Sequence, residues 1–262
     1  MLHLVETPEE LPPGSHALAF YASRPEAARN MASFLKGGRD RGQEAMVLTA
    51  DDGMLELYRR EVSARVPEMA DSVRRIPGFH VRPTPEGLRP TPEVLDFART
   101  HPEGATMCGD TIPSLLDRRS LASLLAYEDW FDSLRPFYHR GLCPYDLSHF
   151  PIDRAPQALS QLAQTHTHAV LSNDPNPGPR FLQLLILPQV ENPPEQHLGW
   201  LARAVDYGLI ERDGAADAVE LTPRGQNFAR ALMALPDYSR RAVEAARSRR
   251  AALGNPRERR PD

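Results

Sequence analysis

Between residues 16 and 172, short apolar runs alternate with stretches of helical periodicity, and this alternation constrains the fold more than any other feature. The runs at 16–22 (HALAFYA), 44–50 (EAMVLTA), 105–110 (ATMCGD), 137–146 (FYHRGLCPYD) and 167–172 (THAVLS) read as buried strands, and 79–83 (FHVRP) as a weaker one. Strands that are apolar on both faces and separated by helices imply an α/β fold, with a mostly parallel sheet covered on both sides. Ligands of such sheets bind beyond the carboxyl ends of the strands.

The helices carry their own punctuation. Ser23-Arg24-Pro25-Glu26 has the spacing of a capping box, in which serine and glutamate satisfy each other's backbone N–H groups. Met31, Phe34 and Leu35 give that helix an apolar face, and Gly37-Gly38 is expected to end it. Asp51 or Asp52 can cap a second helix carrying Leu55, Tyr58, Val62 and Val66. Long and short helices are expected at 120–135 and 155–164. Prolines cluster at 77–92 and 175–194, marking a long loop and a linker. Three regions follow: an α/β domain at 14–174, a smaller module at 180–235 and an arginine-rich tail at 236–262.

The smaller module follows a different pattern. FLQLLIL (181–187) reads as helical, and 195–208 as an amphipathic helix with Leu198, Leu201, Ala202 and Val205 on one face. GLIERD, a GAAD turn and AVELT make a β-hairpin. Thr222 then caps a further helix, with Pro223 at its first position. Helix, "GLIER", hairpin, "ELTPRG" and helix together resemble the winged-helix module of prokaryotic regulators. Arg203 is the only basic residue on helix 195–208; Arg212 lies on the wing and Arg224 beside it. The tail, with Arg240 and Arg241 at its start, holds eight arginines against four acids, net +4, while the rest of the chain is −8. A basic tail attracts phosphate, so the module serves either DNA binding or dimerisation.

Absences exclude several classes. No GxxxxGK[ST] cradles nucleotide phosphates, no GxGxxG follows the first strand, and no GxSxG elbow is present. No run approaches 18 apolar residues and the first residues lack a secretory signal, so a cytoplasmic protein with no membrane contact is expected. Cys108 and Cys143 are too few for a disulfide framework.

Two features carry chemistry. Glu128 falls on the apolar stripe of the long helix, between Leu124, Leu125 and Phe131, where an unpaired carboxylate would cost several kcal/mol. It therefore either meets a partner or reaches solvent at the stripe's edge. The second feature is Cys143, Tyr145, Asp146, His149 and His166, placed where a strand becomes a loop and where the last strand begins. Cysteine, histidine and carboxylate suit zinc or iron. Yet no pair has a dedicated ligand spacing, so the reading assigns no metal and no cofactor. Cys143 could alternatively act as a nucleophile with His166 as its base.

These residues, in this order, resemble the MEDS sensory domain. The likeness lies in His16 to Tyr21, Phe34-Leu35, Gly42-Gln43-Glu44, Gly109-Asp110, Tyr127-Glu128, Leu142-Cys143-Pro144-Tyr145-Asp146 and His166. It implies a RecA-like sheet without a phosphate loop, joined to an output module and sensing a small organic molecule. Asp110, Asp132 and Thr167 depart from the family's usual glutamate, asparagine and proline, so ligand identity does not carry over. The resemblance makes His16, Glu128, Cys143, Tyr145, Asp146 and His166 the ligand-binding candidates. The expectation is a non-enzymatic, ligand-responsive transcriptional regulator, homo-oligomeric and acting on double-stranded DNA. The alternative is a scaffold with a degenerate RecA-like domain.

Overall fold

A computed structural model describes residues 2–49, 51–75, 81–84, 87–90, 92–101, 105–110, 121–133, 139–173, 175–213 and 218–235. Its centre is an eight-stranded sheet in the order β10-β1-β9-β2-β8-β7-β3-β4. The strands are β1 (Leu2–Val5), β2 (Ser15–Tyr21), β3 (Glu44–Thr49), β4 (Val73–Arg75), β7 (Ala105–Asp110), β8 (Arg140–Asp146), β9 (His168–Val170) and β10 (Val190–Glu191). Every pairing in it is parallel. The α/β class read from the sequence is what the structure shows.

Side chains alternate across the sheet because successive residues of a strand point to opposite faces. His16, Leu18, Phe20, Cys143 and Tyr145 fall on one face; Ala17, Ala19, Tyr21 and Leu142 fall on the other. Helices α1 (Arg24–Arg39) and α2 (Asp52–Arg65) cover the second face through Met31, Phe34, Leu35, Tyr58 and Val62. The first face is covered by α4 (Leu121–Ser133), α5 (Ala155–Thr165) and the chain beyond residue 177. Between α2 and α4 lies α3 (Pro92–Thr100).

Local signals fare unevenly. Asp51 caps α2 as read, its carboxylate accepting from Met54 N at 3.0 Å. The capping box at α1 does not form, because Ser23 makes no side-chain cap. Glu26 is instead buried: it accepts from Ala22 N at 2.9 Å, Asn173 N at 2.9 Å and Ser172 Oγ at 2.8 Å. The carboxylate thus ties α1 to the segment after β9, a long-range use that local spacing cannot reveal. Gly37-Gly38 does not end α1 either, since the helix runs on to Arg39. Both glycines serve close approach. A Cβ on Gly37 would meet Glu9 O at 2.5 Å and Arg140 Nη1 at 2.9 Å. Gly37→Ala should therefore destabilise the chain by about 1–3 kcal/mol despite alanine's better helix propensity, read from its denaturant midpoint.

Residues 81–84 do not join the main sheet; β5 (Val81–Thr84) pairs antiparallel with β6 (Gly87–Pro90). The main sheet also takes β10 from beyond residue 174. The C-terminal module is therefore continuous with the core of the sheet: Leu182, Leu185 and Ile186 share one apolar cluster with Leu18 and Phe20. The stretch 181–187 begins in α6 (Pro177–Gln183) and tightens into a 3-10 turn, Leu184–Gln189.

Beyond it come α7 (Glu195–Asp206), the hairpin β11 (Ile210–Asp213) with β12 (Ala218–Leu221), and a helix at 223–235. Thr222 caps that last helix through Gly225 N at 3.0 Å. On α7 the inward residues are Leu201 and Ala204, while Leu198 and Val205 are exposed. The buried face is thus rotated from the one read in the sequence, because α7 packs against the 3-10 turn and β11 rather than standing alone. The arginine tail, including Arg240 and Arg241, lies outside the described residues.

Candidate functional site

The sheet and two helices bring five of the six candidate side chains together. His16 stands near the start of β2, Cys143 and Tyr145 lie on the same side of the neighbouring strand β8, and Glu128 descends from α4. His166 sits at the turn between α5 and β9. His16, Glu128, Cys143, Tyr145 and His166 are all buried, His16, Glu128, Cys143 and Tyr145 completely. Glu128 thus meets partners and does not reach solvent. Register explains the grouping: Leu18 pairs with Cys143, and alternation along β2 and β8 puts His16, Cys143 and Tyr145 on the α4 side.

The contacts converge on Glu128. Its Oε2 lies 3.4 Å from His16 Nε2 and 3.3 Å from His166 Nε2, and accepts from Cys143 Sγ at 3.5 Å. Its Oε1 accepts a short hydrogen bond from Tyr145 Oη. Cys143 Sγ also stands 3.4 Å from His16 Nε2. The two imidazoles overlap, with centroids 4.1 Å apart and planes at 31°.

Each histidine is held from behind. His16 Nδ1 meets Asp132 Oδ1 at 3.1 Å, one helical turn from Glu128 on α4. Its backbone is clamped by Thr167, whose Oγ1 accepts from His16 N and donates to His16 O, both at 3.0 Å. His166 Nδ1 lies 2.7 Å from the Leu162 carbonyl. A carbonyl only accepts, so Nδ1 carries the proton and Nε2 presents a lone pair inward. Although near Glu128, that Nε2 is out of line for a hydrogen bond and has no partner for one among the described residues.

The electrostatics follow from this packing. Burial by itself would raise the Glu128 carboxyl; the facing His166 and His16 rings reverse that and hold it well below the usual carboxylate range. Burial opposes charge on His16, yet Asp132 and Glu128 raise it. Burial and the charge of His16 lower His166. Burial, then Glu128, pushes the Cys143 thiol and the Tyr145 phenol well up. The cluster therefore gathers a carboxylate, two imidazoles, a thiol and a phenol.

Asp146 does not join. It lies on the opposite face of β8, where its Oδ1 accepts from Ser148 N and Oγ at 2.8 and 2.6 Å and caps the turn Leu147–His149. The side chain of His149 lies outside the described residues. The cluster also sits on the sheet face beneath α4, not beyond the carboxyl ends of the strands as the fold class suggested, because His16 is the second residue of β2 and Cys143 the middle residue of β8. Sequence reading passed over Asp132 and Thr167 as contacts. Asp132 sits one turn after Glu128, a spacing that places two carboxylates on one helix face. Among the described residues, His16, Glu128, Cys143 and His166 are the group that could hold a metal ion, with ligand atoms all within 4.8 Å of one another.

Residues 15–167 match the family model described as MEDS, the MEthanogen/methylotroph, DcmR Sensory domain. The chain belongs to this family. The matched span runs from the first residue of β2 to the residue before β9, and so contains all five clustered side chains and Asp132. No curated protein and no solved structure matches the chain. A sensory role follows from the family. Among the described residues no helix is long and apolar enough to cross a membrane.

Proposed function

We propose that this chain is a ligand-responsive transcriptional regulator in which the buried cluster senses a small organic molecule and the C-terminal module, a winged helix, reports its occupancy. The observation that carries the reading is the convergence of five ionisable side chains from four separate segments inside an apolar core. Burying such groups is costly, and stability alone would be served as well by apolar residues of the same size. Perturbed ionisable groups gathered in this way mark functional sites.

The route outward is short. Leu162, which fixes His166, belongs to α5, and α5 packs on α4, on the 3-10 turn Leu184–Gln189 and on β12 of the hairpin. A change at His166, or at Glu128 through the packing of α4 on α5, thus bears on the helix that touches the module directly. An open apolar groove of about 420 Å³ runs between α6 and the module, lined by Phe181, Leu184, Trp200, Ala204, Phe228 and Leu232. A ligand shifts the module only through different affinities for its two positions.

The same reading is non-catalytic. The raised Cys143 thiol is the opposite of an activated nucleophile, and the cluster is shut from solvent. Arg203, Arg212 and Arg224 are exposed and suit phosphate contacts, with Arg240 and Arg241 as an electrostatic aid. A second reading of the module, as a homodimer or partner contact, is favoured by the exposed Leu198, Val205 and Tyr207 on and after α7. Mobility of DNA from upstream of the chain's own gene separates the two. The regulator reading predicts retardation at low salt that weakens steeply as salt rises and weakens when 236–262 is removed. No retardation of any sequence at low salt removes the DNA half of the proposal.

A further inference from the structure

We propose that His16, Glu128, Cys143 and His166 bind a single divalent zinc-class ion in a closed tetrahedral site. This deepens the sensing-site reading, and it rests on that reading only for the identity of the cluster.

Geometry argues for it first. Zinc bonds of about 2.0–2.1 Å to nitrogen and oxygen and about 2.3 Å to sulfur imply tetrahedral edges near 3.4 Å between N or O atoms and about 3.6 Å to sulfur. The observed edges are 3.4 Å for His16 Nε2 to Glu128 Oε2, 3.3 Å for His166 Nε2 to Glu128 Oε2, 3.4 Å for Cys143 Sγ to His16 Nε2 and 3.5 Å for Cys143 Sγ to Glu128 Oε2. All ligand atoms fall within 4.8 Å, so the two remaining edges, from His166 Nε2 to His16 Nε2 and to Cys143 Sγ, contract on loading by at most about 1.4 Å.

The shell behind the ligands argues for it second. Metal-bound histidines turn their other nitrogen to a carboxylate or carbonyl, which fixes the tautomer. Here Asp132 takes Nδ1 of His16 and the Leu162 carbonyl takes Nδ1 of His166, leaving both Nε2 atoms directed inward. Tyr145 holds the second oxygen of Glu128. His166 Nε2 is fully buried and has no hydrogen-bond partner among the described residues, while it faces a carboxylate oxygen at 3.3 Å. A cation between two such lone pairs turns a repulsion into two bonds. Charge balances as well. On loading, Cys143 releases its thiol proton to solvent, and both imidazoles bind through Nε2 as neutral rings. The ion's two positive charges then meet one thiolate and one carboxylate, and the buried site is neutral.

The test uses the full-length chain. Protein expressed with zinc and dialysed should retain about one zinc per chain, measured by mass spectrometry of the metal. Cobalt loading should give the strong visible absorption of four-coordinate cobalt with a thiolate charge-transfer band. Cys143→Ser should lose that band while Cys108→Ser, on the opposite sheet face, keeps it. Asp132→Asn, at a positioning residue, should keep the stoichiometry and spectrum but weaken affinity about 10- to 100-fold. Folded wild-type protein that retains no stoichiometric metal, a thiolate band surviving in Cys143→Ser, or unchanged affinity in Asp132→Asn overturns the proposal. Metal bound without any ligand-dependent DNA response counts against the sensing reading alone. A ligand response in metal-free protein counts against the metal alone.

Discussion

Glu128→Ala should lower the unfolding free energy by about 3–5 kcal/mol in the presence of a chelator, the range for breaking a buried charge network by removing one partner. The substitution removes the acceptor shared by Tyr145 Oη and Cys143 Sγ and leaves the buried His16 ring with Asp132 as its remaining acidic partner. Glu128→Gln keeps the shape and one carbonyl acceptor, so it should lose less, about 1–3 kcal/mol. Denaturant titration with an unchanged slope reads both values. The order of the two variants is the informative part. If glutamine costs as much as alanine, the negative charge itself holds the cluster; if neither costs more than a surface substitution, the cluster is not the polar centre described above.

An effect of similar size is expected at the opposite face of the sheet. Arg140 is completely buried, and burial, then the charge of Arg41, pulls it down to about 10, which leaves it charged at neutral pH. Its guanidinium donates to Phe34 O at 2.7 Å, Gln43 Oε1 at 3.2 Å and Leu11 O at 3.3 Å, and lies 4.8 Å above the Phe34 ring. It ties the end of α1, the chain before β2 and the entry to β3 to the first residue of β8. Arg140→Met fills the stem's space but strands these acceptors, and should cost about 3–5 kcal/mol. Arg140→Lys recovers only part of this, because an ammonium lacks the planar fork that serves several acceptors. Neither variant should alter metal content, since Arg140 and the cluster lie on opposite sides of the sheet. Substitutions at Glu128 and Arg140 should therefore add, as sites without shared partners do.

How much of this was legible in the chain depended on the reach of each signal. Strands β2, β3, β7 and β8 are long apolar runs and read correctly, as does the pairing of β11 with β12, while the GAAD turn expected between them lies outside the described residues. β4 and β10 have three and two residues, too few for any periodicity, and are strands only because β3 and β1 lie beside them. Glu128 was visible as a carboxylate on an apolar stripe. His16, Cys143, Tyr145 and His166 were reached through the family resemblance, and Cys143, Tyr145 and His166 also through their residue types at a strand's edge. Asp146 was drawn in by sequence proximity to Cys143 and Tyr145, though strand alternation sends it to the other face. No metal-ligand spacing was legible because the four ligand atoms come from four segments that only the sheet register and the α4 packing bring together.

The central claim is that the state of the buried cluster is felt by the C-terminal module. Amide hydrogen exchange of the full-length wild type and His166→Gln tests it most directly, because glutamine removes the Leu162-anchored ring without emptying the site. Faster exchange is expected through Ala155–Thr165, continuing into Ala218–Leu221 and residues 223–235. Unchanged protection in the hairpin and the last helix, with any change confined to β2, β8 and α4, would contradict it.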